Sequence, residues 1–240
     1  MIGGGDGLAL REVLQWSPES VVLVDLDPGM ISLFSGKSER SPKWLSKRLT
    51  ELNENSLNDK RVEIIYGDAF KVVEGMQKNP NYYDLIIVDL PDPSHPDLNK
   101  LYSDYFYSNL GRILSQDGAM VVQSTSLYHS KDAFLSIRKT MESVSLSVDQ
   151  YHANVPSFGE WGWTLATKKG MSPLKRIEER LSEKLSHHYL NKELIIGSFS
   201  FSESFFDNYE SIKVNNLNAP ILYSYHSNGW KKGKGIYFVK

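Results

Sequence analysis

The sequence predicts an α/β fold, a doubly wound, mostly parallel Rossmann-like sheet whose first strand is truncated. Three observations predict it. Short runs rich in β-branched residues recur at Val21-Val22-Leu23-Val24, Val62-Glu63-Ile64-Ile65, Leu85-Ile86-Ile87-Val88 and Met120-Val121-Val122. Stretches with helical spacing lie between them, such as Phe106, Leu110, Ile113 and Leu114, and this alternation marks parallel strands covered on both faces. A glycine-rich turn, Gly3-Gly4-Gly5-Asp6-Gly7, feeds the segment Leu8-Ala9-Leu10-Arg11-Glu12-Val13-Leu14, which reads as a helix.

Taken in order, the first element is the odd one. A glycine turn of this kind follows a strand, and here only Met1 and Ile2 precede it. The four apolar runs then supply strands. Pro173 opens an amphipathic helix, with Leu174, Ile177, Leu181 and Leu185 three or four residues apart. Phe199, Phe201, Phe205 and Phe206 follow in a stretch of few charges and read as packing. An aromatic tail runs through Ile221-Leu222-Tyr223-Ser224-Tyr225 to Gly229-Trp230. Residues 1–168 read as the catalytic domain, and 169–240 as a helix plus irregular elements packed on it.

Composition excludes several classes. Lys and Arg number 27 against 29 Asp and Glu, a net charge of -2, which disfavours a surface built for nucleic acid or an anionic membrane. The absence of cysteine removes disulfides, thiolate catalysis and Cys-based metal sites. The six histidines show no ligand spacing, so no metal site is expected. His187-His188 read as a helix end, His152 as structural, and Lys231, Lys232 and Lys234 as a solvated run. No apolar run reaches the ~20 residues that cross a bilayer, and a cytoplasmic protein is expected.

Four acidic motifs fall where strands are predicted to end. In the glycine loop, Gly3 and Gly5 let the backbone approach a ligand, and the helix that follows offers free N–H groups. Asp25 closes the second strand, counting the Met1-Ile2 stub as the first, where a carboxylate can accept hydrogen bonds from ribose hydroxyls. Gly67, Asp68 and Ala69 end the next strand and suit an adenine ring. Asp89-Leu90-Pro91-Asp92-Pro93 ends the fourth. Together Asp6, Asp25, Asp68, Asp89 and Asp92 suit an adenosyl ligand beside a cationic substrate, with a carboxylate able to accept an ammonium proton.

In this order, Gly-Gly-Gly-Asp-Gly, Val-Asp-Leu-Asp-Pro, Gly-Asp-Ala-Phe and Asp-x-x-Asp-Pro resemble the spermidine synthase family, the polyamine aminopropyltransferases. The resemblance continues through Leu101-Tyr102-Ser103, Phe106-Tyr107, Val121-Val122-Gln123 and Val155-Pro156-Ser157-Phe158-Gly159-Glu160-Trp161-Gly162. The tail from Val214-Asn215-Asn216-Leu217-Asn218-Ala219-Pro220 to Trp230 resembles members with a membrane-spanning N-terminal region. It implies a fold like that of class I S-adenosylmethionine methyltransferases. The implied reaction carries the aminopropyl group of decarboxylated S-adenosylmethionine to putrescine or a related amine, giving spermidine and methylthioadenosine. The donor is a co-substrate, and no cofactor is implied.

By motif position the resemblance makes Asp89 the base and Asp92 an amine-binding partner. Asp6 faces the donor's ammonium, where it repels the carboxylate of ordinary S-adenosylmethionine. Phe158 takes the acceptor-side position where members often have tyrosine, and Leu90 and Pro91 replace small hydroxylated residues. The family's N-terminal β-rich domain is missing, so upstream sequence is expected to encode a β-branched run ending at Met1-Ile2, with β-hairpins before it. Any membrane contact is expected through such a region, and a homo-oligomer is compatible with the family. Two other readings share the fold: an S-adenosylmethionine-dependent methyltransferase, and a truncated homologue that binds nucleoside or polyamine without turnover.

Overall fold

The computed structural model describes residues 1–168, 170, 172–181 and 189–238, with 232–238 as backbone only. His187 and His188 lie outside the described residues, as do Leu185 and the side chains of Lys232 and Lys234. The chain forms two compact units: residues 1–76 with 87–90, and residues 77–86 with 91–240.

The first unit contains α1 (Leu8–Gln15), β1 (Val21–Asp25), α2 (Pro28–Phe34), α3 (Lys43–Leu52), β2 (Val62–Tyr66) and α4 (Ala69–Met76). β1 and β2 pair in parallel, Val21 opposite Val62 through Asp25 opposite Tyr66. The segment Met1–Gly3 forms bridges on both sides. Ile2 bridges Val24 and Val88 in parallel, and its backbone exchanges hydrogen bonds with Ile87 and Asp89, each 2.8 Å. Ile2 is buried, and Leu10, Leu23, Ile31 and Leu57 form the core between sheet and helices. Burial of such side chains is the main stabilising term, about 1.5–3 kcal/mol each.

The second unit is built on a sheet of β3 (Tyr83–Val88, whose last two residues belong to the first unit), β4 (Leu114–Gln123), β6 (Gly159–Lys168) and β5 (Leu146–Val155), in that order. β6 runs antiparallel to both β4 and β5. The apolar run at 120–122 marks only the C-terminal part of β4, and no run marks a strand in 146–168. The hairpin strands carry Gln150, His152, Thr164 and Thr167 among their apolar residues, which breaks the continuous apolar signal of the parallel strands. α5 (Asp104–Ile113) stands where helical spacing predicts it. Its N-cap Ser103 accepts a hydrogen bond from the Phe106 N–H, and Asp104 sits favourably in the first turn.

The C-terminal segment packs on α6 (Lys131–Ser143) and the hairpin. α7 (Pro173–Arg180) starts at the predicted proline, and Arg176 and Arg180 both pair with Asp117. α8 (Lys192–Gly197) follows. Phe201, Phe205 and Phe206 pack on a buried cluster of Phe134, Leu135 and Ile212, as expected. The aromatic tail differs from expectation, because it forms the helix α9 (Leu222–Phe238). Its start is fixed from a distance: buried Asn215 accepts hydrogen bonds from the Ile221 and Leu222 N–H groups and donates to the Asn99 and Tyr102 carbonyls. A cap six residues upstream lies outside the local pattern that marks a helix N-terminus. Among the described residues no helix is long and apolar enough to cross a membrane.

Candidate active site

In the first unit the glycine loop sits at the carboxyl ends of β1, β2 and the last residues of β3. Its glycines are demanded by the protein itself. Gly3 has φ 81°, and a Cβ there would lie 2.1 Å from the Asp89 carbonyl oxygen, so no other residue fits. Gly5 is held differently. Its N–H donates to Asp25 Oδ2 at 2.9 Å, and a Cβ would come within 2.7 Å of that oxygen. Asp25 also accepts from the Asp27 N–H at 2.8 Å. The side chain predicted to meet a ribose therefore first fixes the loop, with lone pairs left over.

Gly67 donates its N–H to the Asp25 carbonyl, which ties the end of β2 to the end of β1. Asp68 accepts from the Phe70 N–H at 3.0 Å and opens α4, whose first residue, Ala69, is buried. Asp6 accepts from the Leu8 N–H, and its carbonyl accepts from the Asn53 side chain. Asp89 is reached by solvent, yet protein atoms crowd it and strip part of its hydration. That desolvation, and secondly the negative charge of Asp6, raise its carboxyl above the ordinary carboxylate value. A carboxylate so raised binds a proton more readily, as a general base requires. Asp6, Asp25, Asp68 and Asp89 are thus gathered in one unit.

Asp92 lies in the second unit, three residues further along the chain. Gln123 donates to its Oδ1 at 2.8 Å, and Thr125 Oγ1 to its Oδ2 at 3.0 Å. His226 Nε2 lies 3.1 Å from the same Oδ2. Thr125 is fully buried with φ 65°, a conformation that costs a β-branched residue about 1–3 kcal/mol. Phe158 stands at the tip of the β5–β6 hairpin, 62% exposed, its ring 5.1 Å from Trp161. His152 uses both ring nitrogens, on Glu160 and on the Ser200 carbonyl, which matches its structural reading. A cavity of about 670 Å³ beside β5, lined by Tyr151, Leu165, Ile177, Leu194 and Phe199, includes neither Asp92 nor Phe158.

Gln123, Thr125 and His226, the partners of Asp92, were not predicted from the sequence. Gln123 was visible only as the end of a strand motif. Thr125 left no signal. For His226 the one trace was Trp230, four residues on, the spacing of neighbours on a helix face.

The spermine/spermidine synthase domain matches residues 1–178 of this chain. The chain belongs to that family. Its sequence is 47% identical over 236 residues to the polyamine aminopropyltransferase of Shewanella oneidensis, covering 98% of this chain and 41% of the relative. It is 33% identical to that of Oceanobacillus iheyensis, covering 96% of this chain and 42% of the relative. The chain therefore spans about two fifths of the length of these curated relatives. Among solved structures, spermidine synthase from Thermotoga maritima shares the fold with a TM-score of 0.68 at 24% identity, over 88% of this chain and 67% of that one. The α/β fold read from the strand pattern is thereby borne out.

Proposed function

We propose that this family member transfers the aminopropyl group of decarboxylated S-adenosylmethionine to putrescine or a related amine. The observation that carries the reading is the pair Asp6 and Asp89 beside the glycine loop, with the Asp89 carboxyl raised by desolvation and by Asp6. The donor's adenosine lies along the loop, with Asp25 on its ribose and Gly67, Asp68 and Ala69 around its base. Asp6 takes the donor's ammonium. Asp92 and Phe158 belong to the acceptor side. Residues 1–168 hold all these groups, and beyond them α7 packs on the hairpin and α9 on α6.

The chemistry needs three events. An acceptor ammonium gives one proton to the Asp89 carboxylate and becomes a free amine. Its nitrogen lone pair then attacks the methylene bonded to the sulfonium, and the C–S bond breaks with its electron pair moving to sulfur. Sulfur leaves as the neutral thioether of methylthioadenosine, while the new secondary amine stays protonated. Net, one proton is released, and Asp89 passes it to solvent. Holding nitrogen and carbon in line supplies much of the acceleration.

Product analysis tests the reading. Incubation with decarboxylated S-adenosylmethionine and putrescine is expected to give methylthioadenosine and spermidine in equal amounts. S-adenosylhomocysteine from ordinary S-adenosylmethionine would indicate methyl transfer instead.

A further inference from the structure

Asp92 is held by more than the strand that precedes it. A carboxylate offers four lone pairs, and three of those on Asp92 are engaged: one on Oδ1 by Gln123, and both on Oδ2 by Thr125 and His226. Among the described residues nothing takes the second lone pair of Oδ1. The Asp92 side chain is 18% exposed, and that of His226 9%. His226 stands on α9, outside the residues 1–178 that match the family domain.

α9 is clamped where it presents this ring. A Cβ on Gly229 would lie 2.3 Å from the His129 carbonyl oxygen, so only glycine lets the helix come this close. Trp230 stacks on His129 with ring centroids 4.3 Å apart and planes 16° apart. Ser130 Oγ donates to the His226 carbonyl at 3.3 Å. The Trp230 indole N–H also points at His226 Nε2, at 3.0 Å. That nitrogen cannot both donate to Asp92 and accept from Trp230. A bond to a carboxylate is roughly twice as strong as one between neutral groups, so Nε2 carries the hydrogen and faces Asp92.

We propose that His226 is a positioning residue of the amine site, locking Oδ2 of Asp92 so that the remaining lone pair of Oδ1 meets the acceptor ammonium. The proposal rests on the reading that Asp92 binds the acceptor amine. It makes the C-terminal helix part of acceptor recognition. A carboxylate pinned on three lone pairs pays no rotational entropy when the amine arrives, so the effect falls on amine affinity and not on the chemical step.

The test compares His226→Ala and His226→Gln in the intact protein. Three quantities are measured: methylthioadenosine release against putrescine concentration, methylthioadenosine binding, and putrescine binding by calorimetry. His226→Ala is expected to raise KM for putrescine about 10- to 100-fold, the loss of a hydrogen bond to a charged group. It should leave kcat and methylthioadenosine binding within about threefold. His226→Gln, whose amide N–H can replace Nε2–H, should bring KM back to within about threefold of the parent. Trp230→Phe keeps an aromatic ring at this place and removes the competing N–H, and should leave KM unchanged or lower. The proposal is overturned if His226→Ala leaves KM unaltered, if Gln fails to rescue, or if Trp230→Phe raises KM as much as His226→Ala. Calorimetry separates the two levels: putrescine binding weakened by His226→Ala in a protein that forms no spermidine would keep this inference and sink the proposed reaction.

Discussion

The glycine loop and the surroundings of Asp92 both hold carboxylates in fixed positions, but they are built from opposite kinds of sequence. In the first unit the partners are close along the chain: Gly3, Gly5, Asp6 and Asp25 all fall within the first strand–helix–strand passage, at the ends of parallel strands. The conformation is fixed by glycine, and the cost of φ near 80° is removed by having no Cβ. Around Asp92 the partners Gln123, Thr125 and His226 come from 31, 33 and 134 residues away. Here a β-branched residue is held in the left-handed region, and the surrounding contacts offset the strain. The difference teaches where substitution should be felt: Gly3 and Gly5 have no room for a Cβ, whereas a dispersed cradle is expected to lose one arm and keep its fold.

The largest effect should come from the loop. Gly3→Ala drives a Cβ into the Asp89 carbonyl at a φ of 81°. It is expected to cost at least about 3 kcal/mol, to lower Tm by on the order of 10 °C, and to abolish turnover. A thermal scan and a product assay read both. A Gly3→Ala protein that melts and works like the parent would erase the contrast between the two regions.

Asp6→Asn should act next, and on ligand choice. With the carboxylate gone, decarboxylated S-adenosylmethionine is expected to bind about tenfold or more weaker, the value of a lost charge-assisted hydrogen bond, while methylthioadenosine, which lacks the amine, should change little. Equal losses for both, measured by competition binding, would reduce Asp6 to a shaper of the loop.

The smallest loss of stability is expected in the dispersed region. Thr125→Gly relieves the left-handed strain and removes one hydroxyl from Asp92. Tm is expected to stay within a few degrees of the parent, while KM for the amine rises severalfold. A fall in Tm as large as that of Gly3→Ala would show that the cradle is as intolerant as the loop.

The same contrast decides what could be read from the sequence. The parallel strands, α1, α5 and the start of α7 follow from continuous apolar runs, helical spacing and a proline at N1. The loop, Asp25 and Asp89 follow from motifs a few residues long. The β5–β6 hairpin was hidden because Gln150, Thr164 and Thr167, buried within it, interrupt its apolar alternation. α9 was hidden because its cap, Asn215, is not adjacent to it. The environment of Asp92 was hidden because no spacing rule links residues 92, 125 and 226. The role of Asp25 in holding Gly5 needed coordinates, since ribose contact and loop support predict the same residue.

The most direct test of the account is the pH dependence of aminopropyl transfer in the parent and in Asp89→Asn. A native carboxyl raised above its unfolded value binds its proton at higher pH, so the acid limb of the parent's kcat/KM should lie above the pH expected of an unperturbed aspartate. Asp89→Asn should lower kcat by about 10²–10⁴-fold, remove that limb, and leave methylthioadenosine binding intact. Its fold should be no less stable than the parent's. The ionised Asp89 is a cost to the native state that appears as pH rises through its raised pKa, and the amide does not carry it. A variant that keeps the parent's acid limb and a kcat within tenfold of it would contradict the assignment of Asp89 as the base.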